Sequence, residues 1–181
     1  VRSRRQRQMC IRDRYKYEPT FIKCDVSHIE ELKIALQTTA KEQGAVTVLV
    51  NNAANDTRHT LDEFTSQQWD QTMEVNLKPH FFAAQEVVEG MKISGGGSII
   101  NFSSISYMMG NEGYPAYATA KSAITGLTRS LARELGPHSI RVNAIMPGWV
   151  LTKRQMKLWA TEEGLSKHLD RQCLKEHLSG S

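Results

Sequence analysis

The stretch Val46-Thr-Val-Leu-Val-Asn-Asn-Ala-Ala54 decides the fold. Four of its first five residues are apolar, which is typical of a parallel strand that is buried on both faces. Similar runs follow at Ser98–Ser103 and Ile140–Ile145, and a short β-prone run precedes them at Thr20–Cys24. Helical segments separate these runs. We therefore expect an α/β protein with a parallel sheet and helices on both of its faces.

Three long helices are predicted between the strands. Ser27-His-Ile-Glu30 is typical of a capping box and opens a first helix that ends near Gly44. A second helix is expected as one piece from about Gln67 through Met91. A third runs roughly from Tyr114 to Leu135, where a glycine and a proline close it.

Composition indicates one folded domain with a basic leader. The chain has 181 residues, 40% hydrophobic and 23% charged, which is enough for one domain with its own core. Residues 1–16 hold seven Lys or Arg and one Asp, whereas the rest carries 16 basic and 18 acidic residues. We interpret residues 1–16 as a foreign or disordered leader and residues 17–181 as the domain. A basic arm that binds nucleic acid is the alternative, but we expect no nucleic-acid partner.

Several classes of protein are disfavoured. No apolar run reaches the ~18 to 20 residues of a membrane span, and no secretory signal is visible, so we expect no membrane partner. The three cysteines, Cys10, Cys24 and Cys173, lack the spacing of a metal site or of a disulfide framework. We expect a cytoplasmic protein without a metal.

Tyr117 and Lys121 stand four residues apart in the third predicted helix, so their side chains share one face. A phenol has a pKa near ~10 and is a poor base at neutral pH, but a nearby ammonium lowers that pKa. The pair can therefore protonate a carbonyl oxygen during reduction or accept a hydroxyl proton during oxidation. Ser104, just beyond a strand, can hold the same substrate oxygen by a hydrogen bond.

Several motifs in fixed order make the chain resemble the short-chain dehydrogenase/reductase family. They are Asn51-Asn-Ala-Ala54, Asn76, Ser104, Tyr117-Ala-Thr-Ala-Lys121 and Pro147-Gly-Trp-Val-Leu-Thr152. The resemblance runs from about Thr20 to the end of the chain. It implies a Rossmann-type doubly wound sheet and a hydride-transferring oxidoreductase. Its catalytic residues would be Tyr117 as acid/base, Lys121 as its partner and ribose ligand, Ser104 as substrate-orienting hydroxyl, and Asn76 as support for a proton relay.

The resemblance also implies the residues that contact an NAD or NADP cofactor, of which we favour NAD. They are Asp25, Val26, Asn52, Ala53, Ala54, Tyr117, Lys121, Pro147, Gly148, Val150 and Thr152. Asp25 would contact the adenine ring, and Val150 and Thr152 would lie on the nicotinamide side. The family has a glycine where this chain has Ala54, so a close approach of backbone to cofactor is less favoured there.

The glycine-rich turn of the family is absent from this sequence. That turn lets the backbone approach the cofactor's pyrophosphate at a helix N-terminus. We therefore interpret the chain as an incomplete Rossmann domain that lacks the family's first two strands and its last strand. We expect it to bind dinucleotide poorly and to fold only marginally.

The loop Asn55-Asp-Thr-Arg-His59 is densely polar, which suits a hydroxylated substrate better than an apolar one. This loop and later segments resemble the family's aldose 1-dehydrogenases of the xylose or galactose type, which implies oxidation of a sugar at its anomeric hydroxyl. Candidate substrate contacts are Ser104, Asn55, Arg58, His59, Ser106, Tyr114 and Trp149.

Other functions stay open. A 3-oxoacyl carrier-protein reductase or a general alcohol dehydrogenase would use the same catalytic residues, and a catalytically dead fragment is a third possibility. The resemblance also implies a homo-tetramer. Its interface would use the long helices that bear Phe81, Phe82, Val87, Ile124 and Leu127.

Overall fold

The computed structural model describes residues 19–179, so the predicted leader at residues 1–16 lies outside the described residues. The chain divides into two compact units. One unit is Lys23–Gly148, which contains the sheet. The other comprises residues 149–179 together with residues 19–22.

The three predicted main strands are confirmed as one parallel sheet. They are β1 (Val48–Asn51), β2 (Gly97–Phe102) and β3 (Ile140–Ile145), in the order β1-β2-β3. In register, Leu49 pairs with Ile99, and Ile99 with Val142. The parallel order brings the carboxyl ends of all three strands to one edge of the sheet, where open α/β sheets bind ligands.

Helices connect the strands in the order that the sequence predicts. In the first unit they are α1 (Ile29–Gln43), α2 (Ser66–Asn76), α3 (Lys78–Ile93) and α4 (Pro115–Leu135), with short 3-10 turns at Ile105–Tyr107 and Gly136–His138. The second unit contains α5 (Lys153–Leu158) and α6 (Glu162–Asp170). None of the helices in the described chain is both long and apolar enough to cross a membrane.

The hydrophobic core lies on one face of the sheet. Its members come from α1, α3, α4 and the strands, and they are Leu32, Leu49, Ala83, Ala84, Val87, Met91, Ile99, Leu135, Ile140 and Val142. On the opposite face Val48 is 58% exposed and Val50 is 52% exposed. The expectation that β1 is buried on both faces is therefore wrong for the described chain, because its helices cover the Leu49 side.

The turn into β2 requires glycine at two positions. Gly96 has φ 140°, and a Cβ there would lie 2.6 Å from the carbonyl oxygen of Ser139. A Cβ on Gly97 would lie 2.6 Å from the sulfur of Met91. The predicted chain break at these glycines thus lets β2 start in close contact with both α3 and the segment before β3.

Two predictions near the start of the described chain are wrong. Thr20–Cys24 forms no strand, because a strand needs a partner for its backbone groups and none of the described strands pairs with it. The capping box is also absent. Ser27 donates its hydroxyl to the Asp25 carboxylate at 2.7 Å, and His28 occupies the N-cap of α1 without a side-chain bond.

The second predicted helix is broken at Leu77. There the backbone has φ −128° and ψ −54°, which ends α2 and precedes α3. Pro79 stands in the first turn of α3, where its missing N–H costs no helical hydrogen bond. Thr65 and Gln68 form a capping box at the start of α2. The break leaves Asn76 as the last residue of α2.

The residues proposed for a subunit interface separate into two groups. Val87 is 5% exposed and Ile124 is 0% exposed, so these two side chains face the interior of this chain. That their helices contact a partner subunit stays a prediction. Phe81 is 45% exposed and packs edge-on against Phe82. Phe81 therefore stays a candidate for contact with another subunit.

Candidate active site

Tyr117 and Lys121 lie on α4, and the ammonium nitrogen of Lys121 is 5.6 Å from the centroid of the Tyr117 ring. Lys121 is 2% exposed and donates a hydrogen bond from Nζ to the carbonyl oxygen of Phe102 at 2.8 Å. Burial lowers the pKa of Lys121 to about 8. The lysine is therefore a buried cation held at the carboxyl end of β2.

Ser104 follows β2 and faces the same tyrosine. Its hydroxyl oxygen accepts from the backbone N–H of Ser106 at 3.2 Å and so caps the short 3-10 turn. A hydrogen bond with Ser104 lowers the pKa of Tyr117. The neighbouring Ser103 instead donates to the backbone carbonyl of Lys121 at 2.6 Å, which anchors α4 to β2. The two adjacent serines therefore have different partners.

The pKa of Tyr117 is raised overall, mainly because the phenol is buried. The hydrogen bond from Ser104 acts in the opposite direction, the Asp56 carboxylate raises the pKa further, and the Arg58 guanidinium lowers it. The Lys121 ammonium lies 5.6 Å from the centroid of the Tyr117 ring and donates to the carbonyl of Phe102. That it lowers the pKa of Tyr117 stays a prediction.

Asn76 is buried at 1% exposure at the end of α2. Its side-chain oxygen accepts from the backbone N–H of Asn55 at 2.9 Å, and its amide donates to the carbonyl of Thr72 at 3.0 Å. The residue thus fixes the loop after β1 to the helix that breaks at Leu77.

The loop after β1 is attached to the start of α4. The Arg58 guanidinium lies 3.8 Å from the centroid of the Tyr114 ring, which packs edge-on against Tyr117 with centroids 5.6 Å apart. His59 stacks on Phe64 at 3.6 Å and accepts from the backbone N–H of Ala116 at 3.4 Å. These side chains hold the loop beside the tyrosine, and Tyr114 itself is only 6% exposed.

A cavity of about 180 Å³ lies beside Tyr117. Its lining is Asn55, Thr57, His59, Phe64, Gln68, Gln71, Thr72, Val75, Asn76 and Tyr117. It brings together four of the predicted site residues, whereas Ser104, Lys121 and Arg58 do not line it. Ser106, another predicted contact, is 6% exposed and its hydroxyl has no hydrogen-bond partner among the described residues.

The predicted cofactor residues of the first unit lie at or near the carboxyl edge of the sheet. Asn52, Ala53 and Ala54 are exposed directly after β1. After β3, the carbonyl of Pro147 accepts from Ile105 at 3.3 Å, and Gly148 follows it. Near the start of the described chain Val26 packs on the core, while the exposed Asp25 accepts from the backbone and hydroxyl of Ser27, which lower its pKa.

Three predicted residues belong to the second unit. Val150 pairs with Leu178 in an isolated parallel bridge. The hydroxyl of Thr152 accepts from Gln155 and caps α5. Trp149 donates from Nε1 to the side chain of Gln155 at 3.0 Å and packs edge-on against His168.

A series of buried hydrogen bonds between polar side chains was not predicted from the sequence. The Asn51 amide donates to the side-chain oxygen of Asn101 at 2.9 Å, and the Asn101 amide donates to the hydroxyl of Thr128 at 3.0 Å. His80 is likewise buried, at 1% exposure. An asparagine inside an apolar strand and a histidine in the apolar stripe of α3 were the available signals. No group of three His, Cys, Asp or Glu in residues 19–179 could hold a metal ion.

Comparison with known proteins agrees with this arrangement. The sequence profile of the short chain dehydrogenase family matches residues 4–163. The probable galactose dehydrogenase GalD of Rhizobium meliloti is 48% identical over 88% of this chain and 62% of its own length. A D-xylose 1-dehydrogenase of Caulobacter vibrioides is 48% identical over 87% of this chain and 61% of its own length.

A solved structure has the same fold. A protein of Sinorhizobium meliloti that is assigned as a short-chain alcohol dehydrogenase superposes with a TM-score of 0.83 at 30% identity, covering 87% of this chain and 63% of that one. The parallel sheet, with polar side chains at the ends of its strands, therefore defines a Rossmann-like α/β protein. The chain belongs to the short-chain dehydrogenase family, and it spans about three fifths of the length of these relatives.

Proposed function

We propose that this chain carries the catalytic part of an NAD(P)-dependent oxidoreductase that oxidises a sugar at its anomeric carbon. The observation that carries the proposal is the convergence of three groups at the end of β2. The Ser104 hydroxyl lies close enough to Tyr117 to lower the pKa of its phenol, and Lys121 is held one helical turn from that tyrosine on the carbonyl of Phe102.

Tyr117 exchanges the proton in this proposal. During oxidation the substrate hydroxyl gives its proton to the Tyr117 oxygen, and Ser104 holds the same substrate oxygen by a hydrogen bond. In the reverse direction the neutral phenol donates its proton to the carbonyl oxygen. Because burial raises the pKa of Tyr117, the protonated phenol is the resting form at neutral pH. Oxidation must therefore become faster as the pH rises.

Lys121 supplies the positive charge of the site. An ammonium has three N–H donors, and the carbonyl of Phe102 accepts one of them at 2.8 Å. This donor set suits the hydroxyl groups of a ribose, so Lys121 and Tyr117 would hold the nicotinamide side of the cofactor. Asn52 and Pro147 flank them at the ends of β1 and β3. A bound nicotinamide would supply the acceptor for the hydride that the substrate carbon loses.

The residues of this chain fit the phosphate groups of the cofactor less well than its nicotinamide side. The sequence contains no Thr-Gly-x-x-x-Gly-x-Gly motif, and Ala54 carries a methyl group where a close backbone approach would favour glycine. We therefore propose weak dinucleotide binding by the 181-residue chain, with NAD as the first form to test. A titration calorimetry experiment that gives a micromolar dissociation constant for NAD or NADP would contradict weak binding.

A sugar is the substrate class that the loop after β1 supports best. The cavity beside Tyr117 is lined mostly by hydroxyl, amide and imidazole side chains, which match a polyhydroxylated ligand. Relatives named for galactose, D-xylose and 2-dehydro-3-deoxy-D-gluconate are 48%, 48% and 38% identical to this chain. Asn55, Arg58 and His59 are the proposed sugar contacts of this loop.

The test compares substrates under one set of conditions. The protein is assayed by nicotinamide absorbance with D-xylose and D-galactose, with acetoacetyl thioester in the reducing direction, and with simple alcohols. Turnover of the aldoses that is lost in Tyr117→Phe supports the proposal. Turnover of the thioester or of simple alcohols alone favours the reductase or alcohol dehydrogenase alternative instead.

We further propose that the complete subunit is cytoplasmic and forms a homo-oligomer, a tetramer by resemblance. The exposed Phe81 on α3 is the described residue that best fits such an interface. Sedimentation of the protein and of Phe81→Ser tests this, since the substitution should shift the population towards smaller species.

A further inference from the structure

A buried histidine near the candidate lysine is the most unusual polar group of the first unit. His80 is 1% exposed, and neither of its ring nitrogens has a hydrogen-bond partner among the described residues. A neutral imidazole carries one donor and one acceptor, and burial of both without partners is costly. Folded proteins rarely keep such a group without a reason.

The position of His80 is one that an apolar side chain would ordinarily take. It precedes Ala83, Ala84, Val87 and Met91 on the face of α3 that builds the core. A leucine at this position would continue that stripe and would carry no polar atom to desolvate. Burial of the imidazole therefore carries a desolvation cost that the packing of α3 does not explain.

His80 and Lys121 converge on the backbone of Phe102. The backbone of Asn51 and of Phe102 lies close enough to the His80 ring to raise its pKa, although neither makes a hydrogen bond of normal geometry with a ring nitrogen. The backbone oxygen of His80 accepts from the Asn51 amide at 3.5 Å. The carbonyl oxygen of Phe102 accepts the hydrogen bond from Lys121 Nζ at 2.8 Å. The ring and the ammonium thus meet at the carboxyl ends of β1 and β2.

Only one of the two groups carries charge near neutral pH. Burial and the charge of Lys121 lower the pKa of His80 to about 4, while burial lowers the pKa of Lys121 to about 8. Lys121 is the one charged group, among the described residues, whose field acts on His80. From β1 and β2 the ring faces backbone groups of Asn51 and Phe102. Between these two pKa values a neutral imidazole stands beside an ammonium.

We propose that His80 is a positioning residue for Lys121: its unprotonated ring nitrogen faces the ammonium through one bound water and holds it on the Phe102 carbonyl. The proposal rests on the proposed role of Lys121 in catalysis. An acceptor near a buried ammonium offsets part of its desolvation. His80 thereby raises the pKa of Lys121 above the value that burial alone would give it.

The test measures the titration of Lys121 by NMR on protein that contains ¹³Cε-labelled lysine, with Lys121→Met used only to assign the signal. His80→Leu fills the site without a polar atom, and His80→Gln keeps a donor and an acceptor. Thr128→Val is the matched control. It removes the buried hydrogen bond of 3.0 Å between Asn101 and Thr128, which does not involve the ammonium.

We expect the Lys121 midpoint to fall by about one pH unit in His80→Leu, because the ammonium loses an acceptor. In His80→Gln and Thr128→Val it should stay within roughly 0.3 unit of the unmodified protein. An unchanged midpoint in His80→Leu, or an equal fall in Thr128→Val, overturns the proposal.

A second readout uses the unmodified protein and covers a failure of His80→Leu to fold. The ¹⁵N shifts of the His80 ring should report a neutral imidazole at about pH 6 and should follow the titration of Lys121 at higher pH. Ring signals that do not respond to that titration overturn the proposal. None of these measurements uses substrate or dinucleotide, so failure of the positioning role is distinguishable from failure of the sugar assay.

Discussion

The backbone N–H of Asn55 lies 2.9 Å from the side-chain oxygen of Asn76, which joins the loop after β1 to the last residue of α2. Asn76 is 1% exposed, so water does not replace this acceptor when the side chain is removed. The Asn76 amide is also used, since it donates to the carbonyl of Thr72. One side chain therefore couples the helix break at Leu77 to the loop that carries the proposed sugar contacts.

Asn76→Ala should lower the free energy of unfolding by about 1–3 kcal/mol, because the N–H of Asn55 loses its acceptor inside the fold. Urea unfolding followed by circular dichroism measures the change. Asn55→Ala is the matched control, since it keeps the backbone N–H and removes an exposed side chain together with its exposed hydrogen bond from Thr57. If both variants lowered the free energy of unfolding equally, the hydrogen bond between Asn55 and Asn76 would contribute no specific stability.

Tyr117→Phe should reduce kcat by roughly 10²- to 10⁴-fold, because the proposal assigns the exchange of the substrate proton to the Tyr117 hydroxyl. The effect on KM should be small, since the ring that packs against Tyr114 is kept. Steady-state kinetics with an aldose measures both constants. Tyr114→Phe is the control and should retain most of kcat. Comparable losses in both variants would argue against Tyr117 as the acid/base.

Ser104→Ala should move the rising limb of the pH profile for oxidation to higher pH by about one unit or less. The sign follows from the hydrogen bond with Ser104, which lowers the pKa of Tyr117 against the effect of burial. Without that bond the phenolate forms at higher pH. Ser103→Ala is the neighbouring control, because Ser103 binds the carbonyl of Lys121 instead. If the rising limb of the pH profile moved only in Ser103→Ala, Ser103 rather than Ser104 would be the serine that acts on Tyr117.

Lys121 should make the protein more stable as the pH rises above about 8. Its pKa is about 8 in the folded protein and 10.5 for a lysine exposed to water, so between these values the unfolded chain binds more protons. The free energy of unfolding should therefore rise by about 2–3 kcal/mol across this range, relative to Lys121→Met. Urea unfolding of both proteins at several pH values checks the difference. A difference that is independent of pH would mean that Lys121 is not desolvated.

The strands and the catalytic spacing could be predicted because their signals are local. Val46–Val50 and Ile140–Ile145 are apolar runs, and Tyr117 and Lys121 stand one helical turn apart. The break at Leu77 could also have been predicted, because Pro79 has no N–H to donate to a carbonyl of the preceding helical turn. The prediction of a single helix relied on the spacing of the apolar residues and did not take account of the proline.

The incorrect predictions concern properties that depend on the surrounding helices and side chains. Whether Val48 and Val50 are covered depends on which helices pack against that face, and the strand sequence does not contain this information. The net direction of the Tyr117 pKa shift depends on burial of the phenol and on groups such as Asp56 and Arg58, which i, i+4 spacing does not reveal. His80 was overlooked because histidine in a helix usually faces water, although its position in the stripe of α3 predicted the core side.

Thr128→Val should lower the free energy of unfolding by about 1–3 kcal/mol, although it removes only one hydroxyl group. The Asn101 amide donates to that hydroxyl at 3.0 Å, and Asn101 is 0% exposed, so the amide would be left buried without its acceptor. Thr125→Val on the same helix is the matched comparison. Its hydroxyl contacts the Tyr107 hydroxyl at 3.1 Å in a half-buried position, where water can take over, so its loss should cost less. Urea unfolding of both variants decides the point: if they lose the same stability, the polar chain from Asn51 through Asn101 to Thr128 is not a special restraint between the sheet and α4.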